Sequence, residues 1–270
     1  VTGGTVNYSV FGGSNGSDGS EGDGTVNGSS FIYIGGSATI GKEQYVTAFK
    51  NGNTTLGTIW GAEAGSVFGI GNGKRGSSTI GSSDNSHIII ADSAVVKNSV
   101  YGGGNFGATG VKSTSSTTTS KIDILNGTIE GSVYGGGNNN GSGSSTKKST
   151  IEINMYNGTV MGSIYGGSNQ LGTVYGSTNV NVKGGTVNGS VYGGGQGGYT
   201  NNNNVGTFVS ENVNVTIGDS TLSTSPTIKT NVYGGSAFGT VNGTANSNNV
   251  SSYDTKVVVN KGKIEGSVFG

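Results

Sequence analysis

The side chains able to do chemistry are few and scattered. The chain carries 14 Asp+Glu, 14 Lys+Arg, one His and no Cys. Glycan hydrolysis, the usual chemistry of β-rich extracellular enzymes, needs clustered carboxylates or a basic group in a cleft. Here Asp123, Glu130, Glu152, Glu211, Asp219, Asp254 and Glu265 are spread thinly along the chain. Glu130 and Glu265 fall in the same slot of a repeating pattern, but Met161 and Asn188 fill that slot between them, so no acidic pair is expected there. His87 stands alone, which excludes an ordinary zinc site. It opens the run His87-Ile88-Ile89-Ile90 and reads as a surface residue at a strand start. Serines are plentiful, yet no Gly-x-Ser-x-Gly comes with a histidine and an acid. The glycine run Gly102 to Asn105 and its copies lack the Lys-Ser/Thr ending and following helix of a phosphate loop.

One segment, Ser17 to Gly24, places Asp18, Glu21 and Asp23 among glycines, a composition that suits calcium. It occurs once and lacks the Gly-Gly-x-Gly-x-Asp rhythm of calcium-binding repeats. A solvated loop is the favoured reading, and no other cofactor is expected. The Asn-x-Ser/Thr triplets at Asn126, Asn157, Asn188 and Asn242 follow from turn chemistry in an Asn-, Gly- and Ser-rich chain. Thr117-Thr118-Thr119 is too isolated for the flat threonine arrays of ice binding.

The elements that position these groups come from composition and repetition. Of 270 residues, 56 are Gly and one is Pro, while apolar residues are only 30% and charged residues 10%. Missing Cys excludes a disulfide scaffold. Aperiodic Gly with almost no Pro excludes collagen. Gly costs about 1 kcal/mol in a helix interior, so a helical protein is excluded as well. The zero net charge argues against nucleic acid and against an anionic membrane surface. No run of apolar residues is long enough to span a bilayer. A chain with so little apolar surface calls for an elongated fold with a thin, repeated core.

The repeat is explicit. The phrase Ser-Val-Tyr-Gly-Gly-Gly recurs with its aromatic at Phe11, Phe68, Tyr101, Tyr134, Tyr165, Tyr192, Tyr233 and Phe269, at intervals of 57, 33, 33, 31, 27, 41 and 36 residues. Upstream of most copies lies a Gly-Thr-Val-type slot, as in Asn126-Gly127-Thr128-Ile129 and Asn157-Gly158-Thr159-Val160. Before that slot comes a short alternating run such as Ile122-Asp123-Ile124 or Val213-Asn214-Val215. A weaker element follows the glycines, as in Phe106-Gly107-Ala108, Leu171 to Val174 and Phe238 to Val241.

Period-two alternation in runs this short predicts β-strands with one face inward. Glycine between them supplies corners at positive φ. The expected fold is all-β: one elongated β-solenoid over residues 1–270, with about three short strands per coil and seven or eight coils. At about 4.8 Å per coil its length is roughly 35–40 Å. Intervals of 27 to 41 residues are too variable for propeller blades. Insertions are expected to loop out over 12–30, 110–120, 138–149 and 197–204. In the 57-residue interval, Phe31 to Ile34, Ala38 to Ile40 and Tyr45 to Phe49 could make an extra degenerate coil, and two readings stay open there. The turn asparagines, among them Asn105, Asn126, Asn138, Asn157 and Asn169, are candidates for hydrogen-bonded ladders. The chain starts and stops in the same phase of the repeat, which is expected of a window from a longer array or of axial head-to-tail stacking.

The phrase Gly185-Thr186-Val187-Asn188-Gly189-Ser190-Val191-Tyr192-Gly193-Gly194-Gly195 resembles the glycine-rich β-strand repeats of bacterial cell-surface adhesins, including autotransporter-type passengers. That resemblance implies export, an extracellular or cell-surface location, and a non-catalytic role in adhesion, biofilm or matrix. The partners it suggests are further copies of the chain, stacked axially or laterally, or surface glycans. Three functions are carried forward: a structural spacer or fibre segment, a carbohydrate-binding module using the eight-ring aromatic stripe, and a polysaccharide-degrading β-helix. The binding-module reading requires Tyr134 and Tyr165 to face solvent.

Overall fold

The computed structural model describes residues 1–14, 25–41, 48–51, 54–58, 65–73, 83–110, 117–198, 206–243 and 252–270. All regular elements among them are β-strands. The strands stack into parallel sheets that run the length of the molecule, so the chain is a β-solenoid.

Three long sheets form its walls. The first contains seven strands from the alternating runs, among them Ser83–Ile90, Thr117–Ile124, Lys148–Met155 and Val213–Ile217. The second holds eight two-residue strands from the Thr-Val slots, from Thr5–Val6 to Lys263–Ile264. The third holds the eight Val-aromatic pairs, from Val10–Phe11 to Val268–Phe269. The eight rungs of the third sheet number the coils 1 to 8. Seven steps of about 4.8 Å separate the outer rungs, about 34 Å in all.

In the third sheet the register sets aliphatic on aliphatic and aromatic on aromatic at every coil. Val133 pairs with Val100 and Ile164, and Tyr134 with Tyr101 and Tyr165. A two-residue strand cannot be stable alone. Here each strand between the ends is bonded to a counterpart above and below, and inward Val and Ile fuse into one core. Ile122, Ile124, Ile129 and Val133 of coil 4 are fully buried, as are Ile153, Met155, Val160 and Ile164 of coil 5.

The weaker element after the glycines is a fourth ladder. Gly172–Val174, Thr207–Val209 and Thr240–Val241 form a three-stranded sheet. Isolated bridges extend it through Ser142 and Thr109 towards Ser83. In the early coils the inward position holds Thr109 and Ser142 where Val174, Val209 and Val241 stand later, which is why the element is weaker in sequence than the other three.

One open reading is decided and one expectation is corrected. Among the described residues the 57-residue interval holds no extra coil. Phe31 to Ile34 lie in the regular first-sheet strand Val26–Ile34, and Thr39–Ile40 is the regular second-sheet strand of coil 2. The added length leaves at Gly41 and returns at Gly65, where a Cβ on Gly41 would lie only 2.4 Å from the Gly65 Cα. Between them Ala48–Asn51 and Thr54–Thr58 form an antiparallel hairpin. Also, the expected insertions are shorter than their polar composition suggested. The strands Val26–Ile34, Thr117–Ile124 and Lys148–Met155 already begin inside three of them.

Glycine has two separate roles. The corner between the first and second sheets takes positive φ, 98° at Gly127 and 92° at Gly158. The glycines after the aromatic are not in that region. Gly135 is required instead by proximity: a Cβ there would meet Ile151 Cγ2 at 2.1 Å and the Gly166 carbonyl oxygen at 2.5 Å. The phrase therefore has no side chain where the third sheet turns back against the first. Several first-sheet hydroxyls donate to the carbonyl of such a glycine, as Ser120 does to Gly135 at 2.9 Å and Thr178 to Gly193 at 2.7 Å.

Candidate functional site

The aromatic stripe forms one continuous stack. Phe11, Phe68, Tyr101, Tyr134, Tyr165, Tyr192, Tyr233 and Phe269 follow one another with ring centroids 4.7–5.0 Å apart and planes within 7° of parallel. Alternation along the third sheet sends Val into the core and the ring to the opposite face. That face is not open in the middle of the molecule. Tyr134 is 6% exposed and Tyr165 is 8% exposed, so the solvent exposure required of a binding stripe is not met at these two rungs. The chain folds back over the rings after the glycines. There the Tyr134 hydroxyl donates to Gln196 Oε1, and Asn169 Nδ2 approaches the Tyr101 hydroxyl at 3.4 Å. Towards the ends the cover thins: Phe11, Tyr192 and Tyr233 are partly buried and Phe269 is 49% exposed.

The covering segment carries an asparagine ladder. Asn105 donates to Asn72 at 3.0 Å, Asn138 to Asn105 at 2.9 Å and Asn169 to Asn138 at 2.8 Å. Asn105 and Asn138 each donate to one coil and accept from the next, a role no carboxylate can fill. Asn138→Asp is therefore expected to lower stability by about 3 kcal/mol, because it buries a charge and removes the donor to Asn105. Urea denaturation checks this; an unchanged midpoint would refute the ladder's energetic role. Asn126 and Asn157, the other turn asparagines, are exposed at the first corner.

Sequence reasoning missed a serine ladder. Ser132 N–H donates to Ser99 Oγ at 3.2 Å, Ser163 N–H to Ser132 Oγ at 3.0 Å and Ser190 N–H to Ser163 Oγ at 3.0 Å. At coil 7 Asn231 Oδ1 serves instead, accepting from Ser267 N–H at 2.7 Å. The signal was present: Ser opens seven of the eight phrases, and Asn, the one replacement, keeps a short oxygen acceptor.

The acids lie apart, most of them beside cations or amides. Glu130 pairs with Lys97 at 2.7 Å, and Glu265 with Lys229 at 3.2 Å and Lys263 at 2.9 Å. Lys97 and Lys229 share the slot of Glu130 and Glu265, one coil below each, so the slot alternates charge where it is charged. Glu211 lies 3.2 Å from Lys148. Asp219 caps its own turn by accepting from Thr221, which with Lys183 holds its carboxyl below the usual range. The backbone N–H of Asp254 donates to Asn212. Asp18, Glu21 and Asp23 lie outside the described residues. Among the described residues no group of three His, Cys, Asp or Glu side chains could hold a metal ion.

The densest polar cluster sits on the outer face of the first sheet. His87 Nε2 lies 2.8 Å from Asp123 Oδ2, and the ring meets Phe31 edge-on at 5.5 Å. Asp123 also contacts Lys121 at 3.1 Å and accepts from Asn154 at 2.9 Å. Partial burial pushes the Asp123 carboxyl up, but the bonds from Asn154, His87 and Lys121 outweigh it and hold the pKa below the usual range. A lowered folded-state pKa adds stability above the ordinary carboxylate value of about 4, and this is lost as pH falls through the lower folded value. The stability gap between the native chain and Asp123→Asn should therefore be full at neutral pH and close in acid. A gap unchanged at low pH would refute it. Among the described residues no Ser or Thr hydroxyl bonds to His87.

Further along the same face a groove of about 330 Å³ opens, lined by Glu152, Asn179, Asn181, Asn214, Thr216 and Lys256 among others. No family model matches the chain, and no curated protein or solved structure shows significant similarity to it. Among the described residues no helix is long and apolar enough to cross a membrane.

Proposed function

We propose that the chain is a structural repeat segment of an adhesin-like, extracellular surface or fibre-forming protein, serving as a stiff, non-catalytic spacer. The observation that carries this reading is the unbroken stack of eight aromatic rings, one per coil, above a continuous core of inward Val and Ile. Ser and Asn columns add coil-to-coil hydrogen bonds over part of that length. Such side chains hold a shape; they are not left free for a substrate. The resemblance of the phrase around Tyr192 to surface-adhesin repeats supports the location. The test is labelling of intact producing cells with antibodies to the purified chain. Bright labelling without permeabilisation is the expected result, and labelling seen only after lysis would overturn the surface role.

A further inference from the structure

Along the groove on the outer face of the first sheet, the amides are only partly consumed by coil-to-coil bonds. Two neighbouring columns supply its lining, all of their members but the buried Asn154 reaching it. One runs Glu152, Asn179, Asn214, Lys256 from coil 5 to coil 8, and the other runs Asn154, Asn181, Thr216, Val258. Asn214 donates to Asn179 at 3.0 Å and Asn181 to Asn154 at 3.0 Å. Among the described residues, Asn179 Nδ2 donates to nothing, while Asn181 Oδ1 and Asn214 Oδ1 accept nothing. The Lys256 ammonium has no ion-pair partner among them either. Donors and acceptors therefore face the groove at successive rungs.

We propose that this groove binds a linear, uncharged polysaccharide laid along the solenoid axis. Three considerations select that ligand. Glu152 and Lys256 stand at opposite ends, three rungs or about 14 Å apart, so neither a polyanion nor a polycation meets a uniform field. The groove presents side chains and no strand edge, so a peptide cannot dock by adding a strand. An extended glycan advances by close to one rung per sugar, so successive rings can meet the free amide groups of Asn179 and Asn181 on coil 6 and of Asn214 on coil 7. Val258 and the Thr216 methyl supply apolar contact for the C–H faces. This site is separate from the aromatic stack, whose middle rungs are covered, and it goes beyond the spacer role.

The experiment is calorimetric titration of the purified chain with neutral hexasaccharides of β-linked glucose, N-acetylglucosamine, mannose, xylose and galactose. Saturable binding to at least one, with a Kd near or below about 1 mM, is expected. Asn181→Val/Asn214→Val should weaken it by about tenfold or more, since two polar partners are lost. Val favours strands, so the fold should hold; circular dichroism checks that, and Asn214→Thr is a milder second variant. Phe269→Ala, at the open end of the aromatic stack, should leave binding unchanged. The proposal is overturned if no hexasaccharide saturates, if binding survives both groove variants, if Phe269→Ala abolishes it, or if only charged polymers bind.

Discussion

Tyr134→Ala should lower stability by about 3–5 kcal/mol, the cost of removing a buried aromatic. Tyr134 touches two stacked neighbours, Tyr101 and Tyr165, each with its centroid at 5.0 Å. Each such pair contributes about 0.5–1.5 kcal/mol beyond the area it buries. The hydroxyl adds its bond to Gln196. Tyr134→Phe should cost only about 1 kcal/mol, because the ring stays and one neutral hydrogen bond goes. At the end of the stack Phe269 has one neighbour and is half exposed, so Phe269→Ala should cost less than half as much as Tyr134→Ala. Urea denaturation ranks the three, and amide exchange shows where the damage falls. Because the ring stacks on the adjacent coils and its hydroxyl reaches Gln196 beyond the coil 6 rung, loss of protection should centre on coils 3 to 6. Equal costs at Tyr134 and Phe269 would contradict a buried stack and revive a solvent-facing stripe.

The second large effect concerns a single methyl group. Gly135→Ala should cost about 3 kcal/mol, near the upper end for overpacking. The new Cβ would strike Ile151 Cγ2 and the Gly166 carbonyl oxygen, and the latter belongs to a backbone fixed in the ladder. Gly235→Ala is the matched control. It lies in a later copy of the same phrase, but nothing stands within 4 Å of its Cβ position, and its φ is not in the left-handed region. Its effect should stay within about 0.5 kcal/mol, or be slightly stabilising through the unfolded chain. Thermal melts of both variants decide the matter. Similar losses at both positions would mean that these glycines serve flexibility and not close approach.

Much of the molecule could be read from the residues. Eight copies of Val-aromatic predicted eight rungs of one sheet, since identical two-residue strands can be stabilised only by stacking on each other. The Thr-Val slots and alternating runs predicted the other two walls for the same reason. The asparagine ladder at Asn105, Asn138 and Asn169 was legible because Asn recurs at one offset from the glycines. The serine ladder was equally visible, yet its role was not, because an amide-to-hydroxyl bond between coils leaves no mark beyond the recurrence of Ser.

Other features had no local signal. Alternation places Val and Tyr on opposite faces, but it cannot say that a later segment folds over the Tyr face and buries it. The polar residues of that segment read as an exposed loop until their amides are seen paired to one another. The 57-residue interval looked like a degraded coil because its apolar residues fit the pattern; only the approach of Gly41 to Gly65 shows a hairpin leaving and rejoining one corner. His87 and Asp123, 36 residues apart, meet because parallel register stacks adjacent coils on one face, and the same register assembles the groove from Glu152 to Lys256. Sequence by itself determined the repeat, the strands and the stacking, since these follow from periodicity and from the need of short strands for neighbours. Only the tertiary structure decided which face is covered, which corner carries each insertion and which side chains meet across coils, since these depend on where the chain returns after each turn.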